Sequence, residues 1–117
     1  MITVLCYKNC STCKRALKYL DDKNIDYTYR EIKEEKPSYD ELKSWYMRSG
    51  LELKRFYNTS GTLYKERHLK EKFKEMSEDE ILRYLATDGM LVKRPILISD
   101  DKILVGFKPH EWEEYLK

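Results

Sequence analysis

The sequence predicts a single α/β domain with the order β-α-β, a helical insert, then β-β-α. Three observations carry that prediction. An apolar, β-branched stretch opens the chain and gives way at once to helical periodicity. Two capping boxes, Ser38 with Glu41 and Ser77 with Glu80, mark helix starts in the middle. Near the end, two apolar runs flank Asp100-Asp101 as a hairpin, with Pro109 placed to start a last helix.

The first element is residues 2–7, a buried strand. In the following helix Cys13, Ala16, Leu17 and Leu20 recur on one face, while Lys14, Arg15, Lys18 and Asp21 face water. Residues 27–33 alternate Tyr27, Tyr29 and Glu31 against Thr28, Arg30 and Ile32, and form a second strand. A strand–helix–strand opening favours a parallel pair. The Ser38 helix is expected to bury Leu42, Trp45 and Tyr46 and to stop at Gly50. Residues 51–57 read as a further helical turn or two, and Asn58-Thr59-Ser60-Gly61 as a loop. Residues 65–75, rich in both charges, read as a solvated helix face. The Ser77 helix is expected to bury Ile81, Leu82 and Leu85 and to stop near Gly89. Residues 95–99 and 102–105 are the hairpin strands, and the last helix buries Trp112, Tyr115 and Leu116. The helical insert spans about residues 38–90 of one domain, 1–117.

Length and composition limit the function. The 117 residues exclude a two-domain enzyme. Leu, Ile, Val and Phe number 27, enough for a lean core in a chain of net charge +2 that is 38% charged. The 23 basic and 21 acidic residues argue against direct nucleic-acid binding. No apolar run approaches the roughly 20 residues of a membrane span. The opening Met1-Ile2-Thr3-Val4-Leu5 has neither a basic region nor a cleavage site, so no signal peptide is expected and the cytoplasm is the expected compartment. A monomer is expected.

The three cysteines, Cys6, Cys10 and Cys13, lie within eight residues of one another. An odd cluster at one end is no disulfide framework. Cys10-Ser11-Thr12-Cys13 is a CxxC set between a strand and a helix start. The first helical turn presents unpaired N–H groups and partial positive charge, and Lys8, Lys14 and Arg15 add cations. Thiols so placed have pKa values lowered to roughly 3.5–7.5. Cys10 is thus the expected attacking thiolate. Cys13, one turn on and facing the core, is the expected resolving thiol of a redox disulfide. The bland alternative is two small apolar residues at a helix start. Cys6, inside an apolar strand, reads as a buried small residue. The C-x3-C-x2-C spacing is also that of iron–sulfur ligands in radical S-adenosylmethionine enzymes. Those need a barrel much larger than this chain, and zinc would need a fourth ligand, with His68 and His110 far off in sequence. No metal is expected.

The run Tyr7-Lys8-Asn9-Cys10-Ser11-Thr12-Cys13-Lys14 resembles the active-site segment of arsenate reductase (ArsC)-related proteins, a group that includes the Spx/MgsR regulators. The resemblance continues through Asn58-Thr59-Ser60-Gly61 with Tyr64, Asp88-Gly89 with Leu91, Arg94-Pro95-Ile96, and Val105-Gly106-Phe107-Lys108-Pro109. It implies a thioredoxin-like fold with a helical insert and a cis peptide bond before Pro95. In the glutathione-coupled reductases one cysteine forms the arsenate adduct and three arginines hold the oxyanion. Cys10 matches the nucleophile and Arg94 one arginine. The other two positions fall near Lys54-Arg55 and at Lys108, where a lysine offers a point charge without a planar fork. The resemblance implies an enzyme with no bound cofactor that uses a thiol reductant: glutathione, or a glutaredoxin- or thioredoxin-type protein. The paired cysteines equally match Spx-type regulators. That branch implies a redox-sensing protein that binds the C-terminal domain of the RNA polymerase α subunit.

Overall fold

The computed structural model describes residues 1–116. By contact the chain divides into two compact units, Met1–Glu31 with Arg94–Lys117, and Ile32–Lys93. The expected insert of about 38–90 falls inside the second.

The first unit is built on β1 (Thr3–Cys6), α1 (Ser11–Asp22), β2 (Thr28–Glu31), β3 (Ile96–Ile98), β4 (Ile103–Val105) and α6 (Pro109–Tyr115). The sheet order is β2-β1-β3-β4. β1 runs parallel to β2 and antiparallel to β3, and β3 is antiparallel to β4. This is the β-α-β and β-β-α arrangement expected of the sequence. Strand side chains alternate between faces. Register therefore sets Val4, Leu97 and Leu104 in one row, where they join Cys6, Cys13, Ala16, Leu20 and Trp112 in a buried cluster. Fully burying an aliphatic side chain of this size stabilises by about 1.5–3 kcal/mol. The Trp112 indole N–H donates to the Gly106 carbonyl at 3.1 Å, so the largest core side chain leaves no donor unpaired. Pro109 sits in the first turn of α6. Tyr115 and Leu116 are only half-buried, and the Tyr115 hydroxyl instead ties α6 to Asp101 and Ser99 of the hairpin turn.

The second unit holds α2 (Tyr39–Ser49), α3 (Thr62–Glu66), α4 (Leu69–Lys72), α5 (Glu78–Leu85) and short 3-10 turns. Both capping boxes form, and Gly50 ends α2 in the left-handed conformation at φ 69°. Tyr46 and Ile81, expected in the core, are half-buried.

Two expectations need correction. Residues 65–75 are not one solvated helix. His68 adopts φ 53° and breaks the segment between α3 and α4. Five residues apart on an unbroken helix, Tyr64 and Leu69 would point about 140° apart; with the break both are buried. Tyr64 and Phe73 then meet Tyr57, with the Tyr57 and Phe73 rings 4.7 Å apart. Nor does Gly89 end the Ser77 helix, which is capped at Ala86. Gly89 instead opens a buried 3-10 turn, where a Cβ would lie 2.1 Å from the Ile32 carbonyl oxygen.

Candidate active site

The site grows out of the end of β1. Beyond Cys6 the chain turns, and the Cys10 N–H donates to the Tyr7 carbonyl at 3.1 Å. The Lys8 N–H donates to the Glu31 carboxylate at the end of β2, at 3.0 Å. The turn is thus anchored to both strands. Cys10 takes an extended conformation and is the N-cap of α1, and its sulfur accepts the Cys13 N–H at 3.4 Å. Serine, threonine or aspartate usually fills this place, because an oxygen satisfies one of the helix's unpaired donors. A thiolate does so better than a neutral thiol, which is a weak acceptor. α1 has no acidic residue in its first turn to compete for that positive end. Cys10 is half-buried, between exposed Asn9 and Ser11.

Cys13, one turn on, is 1% exposed. Its sulfur accepts the Tyr7 N–H at 3.5 Å. The neighbouring Cys6 side chain pulls the Cys13 thiol down to about 6, helped by Tyr7, Cys10 and the Arg94 charge and opposed by burial. Cys6 is pushed up, first by its Cys13 neighbour and then by burial and neighbouring negative charge. Arg94 lies with its guanidinium carbon 5.2 Å from the centre of the Tyr7 ring. The Arg94–Pro95 peptide bond is cis, and the Pro95 carbonyl accepts the Gly106 N–H at 2.7 Å.

The structure thus gathers Cys10, Cys13 and Arg94 at one end of the sheet, with Cys6 beneath. Lys108 is exposed at the N-cap of α6 and makes no side-chain capping bond there. Lys54 and Arg55 belong to the second unit. There they are exposed on a 3-10 turn and line a cationic cleft with Lys93, Tyr57 and Thr59. Among the described residues no group of three or more His, Cys, Asp or Glu is arranged to hold a metal ion, and no helix is long and apolar enough to cross a membrane.

Three contributors escaped the sequence reading. Glu31 is 8% exposed and accepts from both Lys8 and the Tyr29 hydroxyl. Its alternation with Tyr27 and Tyr29 gave neither which set faces inward nor its burial. Tyr7 supplies a backbone donor and a ring, neither of which a motif reveals. Cys6 was legible as buried, but its place in one cluster with Cys13 depends on how α1 packs on β1. All three cysteines are free thiols.

An acceptor sulfur at a helix start, a buried second thiol one turn away and a fixed cation suit nucleophilic attack followed by ring closure to a disulfide. The ArsC family model matches residues 5–115. The crystal structure of an ArsC family related protein from Bacteroides fragilis is 49% identical and superimposes with a TM-score of 0.93, covering 97% of this chain and 95% of that one. An arsenate reductase from Vibrio cholerae is 26% identical with a TM-score of 0.85, over 97% and 95% of the two chains. The regulatory protein MgsR of Bacillus subtilis is 26% identical over 94% of this chain and 86% of its own length.

Proposed function

The chain belongs to the ArsC family, and from that premise we propose that it is a thiol–disulfide oxidoreductase of the arsenate-reductase-like kind. The observation that carries this reading is the pairing of a half-exposed Cys10 sulfur at the head of α1 with a buried Cys13 sulfur one turn behind it. Only Cys10 has the access to meet a substrate. Its thiolate attacks a substrate sulfur, forms a mixed disulfide and expels the first thiolate. Cys13 then attacks the Cys10 sulfur, closes the Cys10–Cys13 disulfide and releases the second thiolate. The substrate gains two electrons, and an external thiol, glutathione or a glutaredoxin- or thioredoxin-type protein, returns the pair to the dithiol. With arsenate the same Cys10 would form the adduct.

Charge builds up beside Cys10 in either case. On this reading the first turn of α1 meets that charge together with Arg94, whose guanidinium lies over the Tyr7 ring. Lys108, in the same unit, is the further candidate as anion ligand. Arg94→Lys keeps a charge but removes the planar fork. Turnover of a glutathione mixed disulfide by that variant is expected to fall on the order of tenfold or more, as it does when a positioned donor is lost, with little change in thermal midpoint. Unchanged turnover would remove Arg94 from the anion site.

The pH dependence follows from Cys13. Its resolving thiolate forms as pH rises through about 6. Ring closure in a preformed Cys10 mixed disulfide should therefore accelerate through that range and level off above it. Stopped-flow release of a chromogenic thiol measures this; a rate still climbing steeply above pH 8, where an ordinary thiol of pKa about 8.5 ionises, would contradict it.

The reading itself is tested by coupled turnover assays with arsenate and with glutathione mixed disulfides. A protein that turns over neither, yet forms the internal disulfide under mild oxidant, would instead favour a redox-sensing regulator. The similarity to MgsR supports that second reading. Its direct test is whether the dithiol or the disulfide form alone captures the C-terminal domain of the RNA polymerase α subunit.

A further inference from the structure

We propose that Tyr7 is a positioning residue that makes this site selective for anionic substrates: its ring seats the Arg94 guanidinium on the turn that carries Cys10. The proposal rests on the oxidoreductase reading above and says which disulfides such a site prefers.

The turn is closed on itself. The Tyr7 carbonyl accepts the Cys10 N–H at 3.1 Å, and the Tyr7 N–H donates to the Cys13 sulfur at 3.5 Å. The Tyr7 backbone is thus bonded to both cysteines of the pair. Any residue would supply those two groups, so the side chain is what is particular to tyrosine here. It is half-buried, its hydroxyl accepts the Asn9 side-chain amide at 3.4 Å, and its ring centre lies 5.2 Å from the guanidinium carbon of Arg94. Ring and nucleophile therefore ride on the same short turn. Arg94 reaches it from a distant part of the chain, just ahead of β3, which pairs with β1. A guanidinium seated on the Tyr7 ring has its position set relative to Cys10 within that turn.

The kind of seat matters. A carboxylate would also hold an arginine, but its charge would oppose an incoming anion. An aromatic ring attracts the cation through its quadrupole and carries no net charge, so the positive field survives. A long side chain also loses rotamer freedom when it closes on a substrate, and one already seated has less to lose. The substrate that gains is a disulfide with an anionic thiol half, such as a mixed disulfide of glutathione. A neutral disulfide draws nothing from the seated cation.

The test measures the first step alone, with two probes that share a chromogenic leaving group. They are the 2-pyridyl mixed disulfides of glutathione, which is anionic, and of 2-mercaptoethanol, which is neutral. The Cys10 thiolate attacks the non-pyridyl sulfur and forms the new S–S bond. The old S–S bond breaks, and the pyridinethiolate leaves with its electron pair and is read by absorbance. The quantity scored is the ratio of the two rate constants, glutathione probe over neutral probe. In Tyr7→Leu that ratio is expected to fall about fivefold, the scale of a partly desolvated cation–π contact. Tyr7→Phe, which keeps the ring, should keep most of the parental ratio. In an Arg94→Ala background, Tyr7→Leu should lower the ratio no further, because the two side chains act as one unit. Tyr7→Met repeats the measurement, and whichever ring-free variant retains the native circular dichroism is scored. An unchanged ratio in that variant overturns the proposal. So does a Tyr7→Phe ratio as low as that of Tyr7→Leu, or Tyr7 and Arg94 effects that simply add. A parent protein that reacts with both probes no faster than a free thiol would end the oxidoreductase reading, and this proposal with it.

Discussion

The Cys10→Ser protein is expected to form no mixed disulfide and to lose turnover by more than about 10³-fold, the scale on which loss of a nucleophile acts elsewhere. A serine at the head of α1 still caps the helix, because its oxygen can accept the Cys13 N–H in place of sulfur. The fold should therefore survive, and the loss is chemical. A serine hydroxyl is a weak nucleophile at its free pKa, and the Glu31 carboxylate is already engaged by Lys8 and Tyr29. Cys13→Ser should behave differently. Cys10 still captures the substrate, but nothing resolves the adduct, and intact mass should show one covalently held thiol per chain. A Cys13→Ser protein that turns over like the parent would show that Cys10 works alone. A Cys10→Ser protein labelled as fast as the parent would show that the accessible nucleophile lies elsewhere.

Gly89→Ala is expected to cost about 3 kcal/mol or more of stability, at or beyond the upper end for an added methyl in a tight site. The methyl would lie 2.1 Å from the Ile32 carbonyl oxygen and 3.0 Å from its carbon. Both are backbone atoms, so no rotamer change relieves the clash. The 3-10 turn from Gly89 to Leu91 also carries Leu91, whose carbonyl accepts the Asn58 N–H at 2.7 Å, and leads to Val92, bridged to Tyr57. Displacing the turn disturbs all three. Gly50→Ala, where nothing lies within 4 Å but φ is 69°, is the matched control for backbone strain alone. Denaturant midpoints of the two variants compare them, and a Gly89→Ala protein as stable as Gly50→Ala would refute the close-approach argument.

Much of the fold was legible because its signals are local. A capping box needs only four residues, so Ser38 and Ser77 located the starts of α2 and α5 to the residue. The apolar stripe Cys13, Ala16, Leu17 and Leu20 located the buried face of α1, with Leu17 at its half-buried edge. The helix break at His68 was not legible. It is set by Tyr64 and Leu69 both reaching the interior, a demand visible only once the unit has packed. Gly89 looked like a helix stop because glycine usually serves there; its actual constraint is the carbonyl of Ile32, far away along the chain.

The site divides along the same line. The sequence by itself determined the dithiol: a CxxC between strand and helix places Cys10 at the helix head and Cys13 one turn inward, because spacing on a helix is fixed by its 3.6-residue period. It also supplied Arg94 and Pro95 as neighbours along the chain. Only the tertiary structure decided what surrounds each thiol. Cys6 meets Cys13 because α1 lies on β1, and Glu31 stands beside Cys6 because β1 and β2 pair in that register. Electrostatic preference between two thiols depends on the charges and donors within a few ångströms. Those distances are products of packing, which periodicity and spacing along the chain do not encode.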